Sequence, residues 1–415
     1  MSNFFNVIGA RLANARSRRM PDSRSKIFHC VCGQPIFFGN THCIACNASL
    51  GFDADSGELL ALEAVGPTAL AAKSDTGVPA SMLTGESGAG GDERWRIAER
   101  SDRRLYRRCA NLATAAMCNW LVPDEQPGRF CLACRLNRTI PDLTLADNPA
   151  RWHKLEAAKR HLIAQLLTLG LPVQGKTPGN DGGLAFDLVG PDADGVLPMT
   201  GHDDGLITIN VLEADDDYRA RLREAMHEPY RTLLGHFRHE IGHYYWDILI
   251  RDTAWLIPFR DVFGDERLDY AQALRNNYEN GPPEGWDSLF ISTYAACHPW
   301  EDWAETWAHY LHMMDTLDTA LSLGITTDVV EPAYALFTRS VLVAPDAPDA
   351  QEFLDMVNTW VALTGVLNEL SRSMGQRDFY PFVLPHKVVG KLQFVHRVVK
   401  QKSLALEGAR QQQGA

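Results

Sequence analysis

The sequence predicts an α+β protein in which two small cysteine-built modules precede a larger, mostly helical domain with a small sheet. Three observations predict it. Eight of the nine cysteines fall in the first third of the 415 residues, in two groups of four. A stretch rich in Gly, Ala, Ser and Thr over residues 66–93 separates the groups and reads as a flexible linker. From Arg151 onward, apolar patterns of helical period dominate, interrupted by two short β-branched runs. At roughly 100–200 residues per domain the length accommodates two or three domains. A composition of 45% hydrophobic and 22% charged residues is that of a globular chain, not a disordered or fibrous one.

Residues 1–26 read as an N-terminal extension. Phe4, Phe5, Val7, Ile8 and Leu12, interrupted by Arg11 and Arg16, predict a frayed amphipathic helix, with an organelle-type presequence or a surface-binding helix as the alternatives. The run is too short for a secretory signal. No stretch of about 18 uncharged apolar residues occurs, so no membrane-spanning helix is expected. The expected compartment is the reducing cytoplasm, where clustered cysteines serve as thiols or metal ligands more readily than as disulfides.

The first group, in a module over 27–65, is Cys30-Val-Cys32-Gly33 followed by Cys43-Ile-Ala-Cys46. Paired thiolates on two tight turns supply four soft ligands in a tetrahedron, which is the layout of a zinc ribbon with a closed structural site. The first pair is C-x-C rather than C-x-x-C, which leaves His29 or His42 as a substitute for one thiolate. The second group, over 94–145, is Cys109, Cys118 and Cys131-Leu-Ala-Cys134, read as a second four-cysteine zinc module, with unliganded buried thiols as the alternative. Cys297, beside His298, reads as a packed thiol rather than a nucleophile. Arg94, Arg96, Arg100, Arg103, Arg104, Arg107 and Arg108 form either a solvated face or a docking surface for nucleic acid or an acidic protein. The net charge of −12 opposes any broad attraction to nucleic acid.

The larger domain is expected over 146–405, followed by a disordered tail at 406–415. Trp152, Leu155, Ala158, Leu162, Leu166 and Leu169 predict a helix stopped by Gly170-Leu-Pro172. Strands are expected at 184–189 and 206–212, the second as an edge strand to which an extended polypeptide adds. Trp300, Trp303 and Trp307 share one helical face and are expected in the core. Lys387, Lys391, Arg397, Lys400 and Lys402 predict a basic, solvated C-terminal helix.

The chemistry concentrates at His239-Glu240-Ile-Gly-His243. Two histidines four positions apart project from one helix face and reach one Zn²⁺, while the Glu between them faces the water to be activated as general base. A catalytic zinc needs a third protein ligand. No third histidine follows at metzincin spacing, so a carboxylate on a later helix is expected, with Glu266, Glu301 and Glu305 as candidates. Glu301 and Glu305 lie four apart, so one can bind metal while the other accepts a histidine N–H. Asp247, four past His243, either orients that ring or is a helix-surface carboxylate.

These segments together resemble the bacterial family of zinc-binding metallopeptidases with an N-terminal zinc ribbon. The likeness rests on Cys-Gly-Gln-Pro-Ile-Phe-Phe, Cys118-Asn-Trp-Leu-Val-Pro, Cys134-Arg-Leu-Asn-Arg-Thr-Ile-Pro-Asp, His-Glu-x-Gly-His-Tyr-Tyr-Trp-Asp, Phe-Gly-Asp-Glu-Arg and His-Pro-Trp-Glu-Asp-Trp-Ala-Glu-Thr-Trp-Ala-His. The resemblance implies a zincin-like metallopeptidase domain, of the Glu-zincin class, acting on a polypeptide substrate. It also implies one catalytic and two structural zinc ions. The 294–305 segment is similar to that of lethal-factor-like peptidases, although Asp302 replaces an aromatic. The likeness makes Glu301 the third ligand, Tyr294 the donor to the transition state and Glu305 the carboxylate behind the ligands. Two other functions compete: a non-enzymatic zinc-ribbon protein that binds nucleic acid or protein, and a protease recruited to DNA-bound or regulatory proteins.

Overall fold

The computed structural model describes residues 3–17, 26–65, 93–191, 194–225, 231–327 and 335–413. The stretch read as a linker lies outside them except for Glu93. Helix α1 (Phe4–Ser17) is not a frayed appendage. Phe5 and Ile8 are fully buried, the Phe5 ring lies 5.4 Å from that of His396, and the Arg11 guanidinium pairs with Asp318. Burying two large apolar side chains contributes about 3–6 kcal/mol, which explains why this short helix docks.

In the cysteine-rich region β1 (Phe28–His29) pairs antiparallel with β2 (Pro35–Ile36) across the first cysteine turn, where Gly33 adopts φ 86°. Strands β3 (Leu50–Asp53), β4 (Glu58–Val65), β5 (Arg94–Ile97), β6 (Tyr106–Arg108) and β7 (Leu121–Pro123) then form one antiparallel sheet in chain order. This corrects the expectation of two separate modules, because β4 belongs to the first cysteine group and β5 to the second. The physical reason is core size. Segments this short bury little on their own, and Leu62 from the first packs with Ile97, Tyr106 and Leu121 from the second in one cluster. The arginine run folds back on this sheet's own acids. Arg94 lies 2.6 Å from Asp124, Arg100 3.2 Å from Glu58, and Arg104 2.6 Å from Asp55. Arg108 donates to the carbonyls of Thr41 and Leu50.

Helix α2 (Leu132–Arg135) carries the last cysteine pair into β8 (Asn137–Thr139). This strand was expected within the cysteine module but belongs to the sheet of the following domain. After α3 (Asn148–Thr168), which ends as expected at Gly170 with φ 72°, come β9 (Ala185–Val189), β10 (Gly201–Asp203) and β11 (Leu206–Asn210). The spatial order is β10-β11-β9-β8. Strand β11 is therefore interior, parallel to β9, and the edge expected at 206–212 is instead β10. The turn makes the difference. Asp204 (φ 43°) and Gly205 (φ 82°) form a two-residue hairpin with both φ positive, which folds 201–203 back outside β11.

The remaining helices are α4 (Asp216–Ala225), α5 (Leu233–Leu249), α6 (Leu256–Phe263), α7 (Tyr270–Asn280), α8 (Pro299–Ser322), α9 (Ala350–Ser373) and α10 (His386–Gln413). Residues 406–413 are thus helical rather than a disordered tail. Lys391 on α10 is also not on a solvated face. Its ammonium lies 2.6 Å from the fully buried Asp302, donates to the Leu289 carbonyl at 2.7 Å and sits 4.2 Å from the Phe290 ring centre. Among the described residues no helix is long and apolar enough to cross a membrane.

Helices α5 and α8 meet at Gly242. A Cβ there would lie 3.1 Å from Ala304 Cα and 3.3 Å from Trp307 Cβ. Trp307 cannot yield easily, because it stacks on Tyr245 and neighbours Trp303, whose Nε1–H donates to the Gly242 carbonyl at 2.8 Å. Gly242→Ala gains helix propensity of about 0.8–1 kcal/mol but meets an overpacking cost of about 1–3 kcal/mol. The net expectation is a protein less stable by up to about 2 kcal/mol, read by denaturant unfolding. A stabilised variant would contradict the close approach.

Candidate functional site

Thr232 caps α5, its Oγ1 accepting from the Gly235 N–H at 3.0 Å. The His298 ring caps α8 by accepting from the Trp300 N–H at 3.1 Å. The α5–α8 contact then sets the first turn of α8 beside the middle of α5. His239 Nε2 lies 3.0 Å and His243 Nε2 3.5 Å from Glu301 Oε2. That carboxylate oxygen is buried and makes no hydrogen bond among the described residues. Donors on a tetrahedral zinc with bonds of about 2.0–2.1 Å stand about 3.3 Å apart, so this trio fits the ion.

The groups behind the trio fix its orientation. The His239 Nδ1–H donates to Glu305 Oε1 at 2.7 Å, which leaves the Nε2 lone pair directed at the cluster. Glu305 Oε2 accepts from the Ser292 hydroxyl at 2.7 Å, and the Tyr270 hydroxyl donates to Glu301 Oε1 at 2.6 Å. Burial raises the proton affinity of Glu305, but the hydrogen bond from His239 prevails and holds it down to about 2. The His243 ring packs 4.4 Å from Trp300 and stacks near His202. Asp247 does not orient His243. It pairs with Arg251 instead.

The trio opens into a cleft of about 780 Å³. Glu240 and Tyr294 both line it, with the Tyr294 ring 5.8 Å from that of His239. Burial, reinforced by the charge of Glu301, pushes the Tyr294 hydroxyl far above its ordinary range, so it remains a donor. The edge strand β10 forms one rim. Glu266, the other candidate ligand, is not brought there. Its carboxylate is held by Arg260, Nε to Oε2 at 2.9 Å. Cys297 stays a thiol, burial and Glu301 pushing it up to about 12, and His298 is occupied as the α8 cap. Of the three tryptophans, Trp303 and Trp307 are core, whereas Trp300 lines the cleft.

Both cysteine groups converge. Cys30 and Cys46 Sγ are 3.5 Å apart, Cys32 and Cys43 3.7 Å, and Cys118 and Cys131 3.6 Å. Sulfurs on a tetrahedral zinc with bonds of about 2.3 Å stand about 3.8 Å apart. The clusters are Cys30, Cys32, Cys43, Cys46 and Cys109, Cys118, Cys131, Cys134, and neither His29 nor His42 joins them.

Sequence reasoning assigned no role to Tyr270, Ser292, His202 or His236, all of which line the cleft. Two of them left a signal. Tyr270 lies four residues past Glu266 in a segment read only for its carboxylate, and His236 lies one helical turn before Glu240.

The chain belongs to the family described as putative zinc-binding metallo-peptidase, which matches residues 148–398. Residues 27–145 match a zinc-ribbon domain as a single unit, in keeping with the shared sheet. Uncharacterized proteins of Mycobacterium bovis and Mycobacterium tuberculosis are 42% identical to it over 384 residues, 92% of this chain and 97% of theirs. No solved structure matches the chain.

The two cysteine clusters differ in access: Cys32 and Cys46 are exposed, whereas all four thiols of the second cluster are buried. Zinc-loaded protein treated with an organomercurial is expected to release metal in two phases, the first cluster emptying before the second. A chromogenic zinc indicator follows the release. Indistinguishable rates would contradict the difference in burial.

Proposed function

We propose that this protein is a zinc-dependent peptidase that hydrolyses peptide bonds, with one catalytic zinc held by His239, His243 and Glu301 and two structural zincs held by the cysteine clusters. The observation that carries the reading is the convergence of two imidazole nitrogens and one hydrogen-bond-free carboxylate oxygen beside Glu240 and Tyr294. Zinc bound there supplies Lewis acidity toward the scissile carbonyl and toward a hydrolytic water. The chain's own groups do the rest. Glu240 accepts the proton of the attacking water at its carboxylate and delivers it to the leaving amine. The Tyr294 hydroxyl donates a hydrogen bond to the developing oxyanion. Glu305 and Ser292 hold the His239 tautomer, and Tyr270 fixes the Glu301 carboxylate. Strand β10 offers an edge on the rim that is unpaired among the described residues, along which an extended substrate can align its backbone.

Incubation with fluorescently labelled casein tests the reading. The Glu240→Ala variant should keep its zinc and lose cleavage by about 10²–10⁴, the contribution of a positioned general base. Tyr294→Phe should slow it by about 10²–10³. If Glu240→Ala cleaves at the wild-type rate, the protein is not a peptidase of this kind. Metal counting checks the ligand set independently. Glu301→Gln should lose one of three zinc equivalents, because a neutral amide replaces an anionic donor. Glu266→Gln should lose none.

A further inference from the structure

His236 lies one turn before Glu240 on α5 and shares its face. Its two ring nitrogens look at different carboxylates. Nε2 is 3.3 Å from Glu240 Oε1, and Nδ1 is 3.5 Å from Glu213 Oε2. Glu213 is itself buried and anchored by the Arg231 guanidinium at 3.0 Å. Arg231, Glu213, His236 and Glu240 therefore form a line of alternating charge that ends at the proposed base. Because the carboxylates face opposite nitrogens, the ring bridges them, and no single ion can be chelated by all three groups.

We propose that His236 is the positioning residue of Glu240: it donates from Nε2 to one oxygen of the carboxylate and leaves the other oxygen to face the cleft. This rests on the peptidase reading of Glu240. A general base works only if the proton it takes is within hydrogen-bond reach, so a carboxylate free to rotate in a roomy cleft loses rate without losing substrate. A donor one turn away removes that rotation. Glu213, 3.5 Å from the other ring nitrogen, balances the charge of the ring, and Arg231 balances Glu213. The protonation state agrees with the geometry. Burial pulls the His236 imidazole down, but the nearby carboxylates of Glu213 and Glu240 outweigh this and lift it to about 9, so both nitrogens carry protons near neutrality.

Two measurements on the zinc-loaded full chain test the proposal. The first needs no turnover. In Glu240→Gln the imidazolium loses one anionic partner, so the titration of the His236 ring protons, followed by NMR, should move down by at least one pH unit. An unchanged titration overturns the pairing whether or not the protein cleaves anything. The second uses a quenched fluorescent peptide containing the first casein bond cut. His236→Leu should keep full zinc content and a KM within about twofold, while kcat falls by about 10²-fold, the lower range for a general base. His236→Gln, which retains a donor of similar reach, should recover at least tenfold of that loss. Wild-type kcat in His236→Leu, or equal defects in the two variants, would contradict the positioning role. A wild-type protein that cleaves no substrate ends the peptidase reading alone, since the NMR titration still decides the pairing.

Discussion

The arrangement of the cleft depends on the contact of α5 with α8 at Gly242. The histidines come from the middle of one helix and Glu301 from the first turn of the other, 58 positions away in the chain. They meet only because a residue without Cβ lets the Ala304 backbone approach. The neighbouring aromatic packing then locks the distance. Tyr245 and Trp307 stack with centroids 4.9 Å apart, and Trp303 ties itself to the Gly242 carbonyl. A site built across two packed helices is more rigid than one built on loops, which suits ligands that must stay within a few tenths of an ångström.

That geometry carries an electrostatic cost that shapes the rest of the domain. The start of α8 buries Glu301 and Asp302 and places Glu305, half-buried, one turn further on. Buried carboxylates persist only with partners. Glu301 has Tyr270 and the two histidines, and Glu305 has His239 and Ser292. Asp302 points away from the cleft and depends on Lys391. Burial pushes its carboxyl up to about 7 despite the opposing ammonium. The C-terminal helix, which also buries Val388, Val389, Leu392, Phe394, Val395, Val398 and Val399, brings the cation that Asp302 needs.

How much of this was legible in the sequence follows from the range of each interaction. His239, Glu240 and His243 lie within one helical turn, and their spacing is enough to place them on one face. Choosing Glu301 over Glu266 required the resemblance of the 294–305 segment, because spacing alone left both open. The structure then shows Glu266 occupied by Arg260. The edge strand was misplaced for a local reason. Asp204-Gly205 is a strong hairpin signal, but Gly201–Asp203 lacks the apolar alternation that marks a strand. Pairing of β4 with β5 joins residues on either side of 66–92, and no local pattern reports that. His236 was overlooked because its meaning lies in Glu213, which is distant in sequence. Lys391 read as solvent-facing because its partner Asp302 is a contact between helices almost ninety residues apart in the chain.

The central claim is that the α5–α8 contact assembles a zinc site in the cleft, separate from the two cysteine clusters. Crystals of the zinc-loaded protein, measured on both sides of the zinc absorption edge, test it most directly. The account predicts three anomalous peaks per chain, one of them within about 2.0–2.2 Å of His239 Nε2, His243 Nε2 and Glu301 Oε2. Peaks at the cysteine clusters alone, with the two imidazoles and the carboxylate held together by hydrogen bonds, would contradict it.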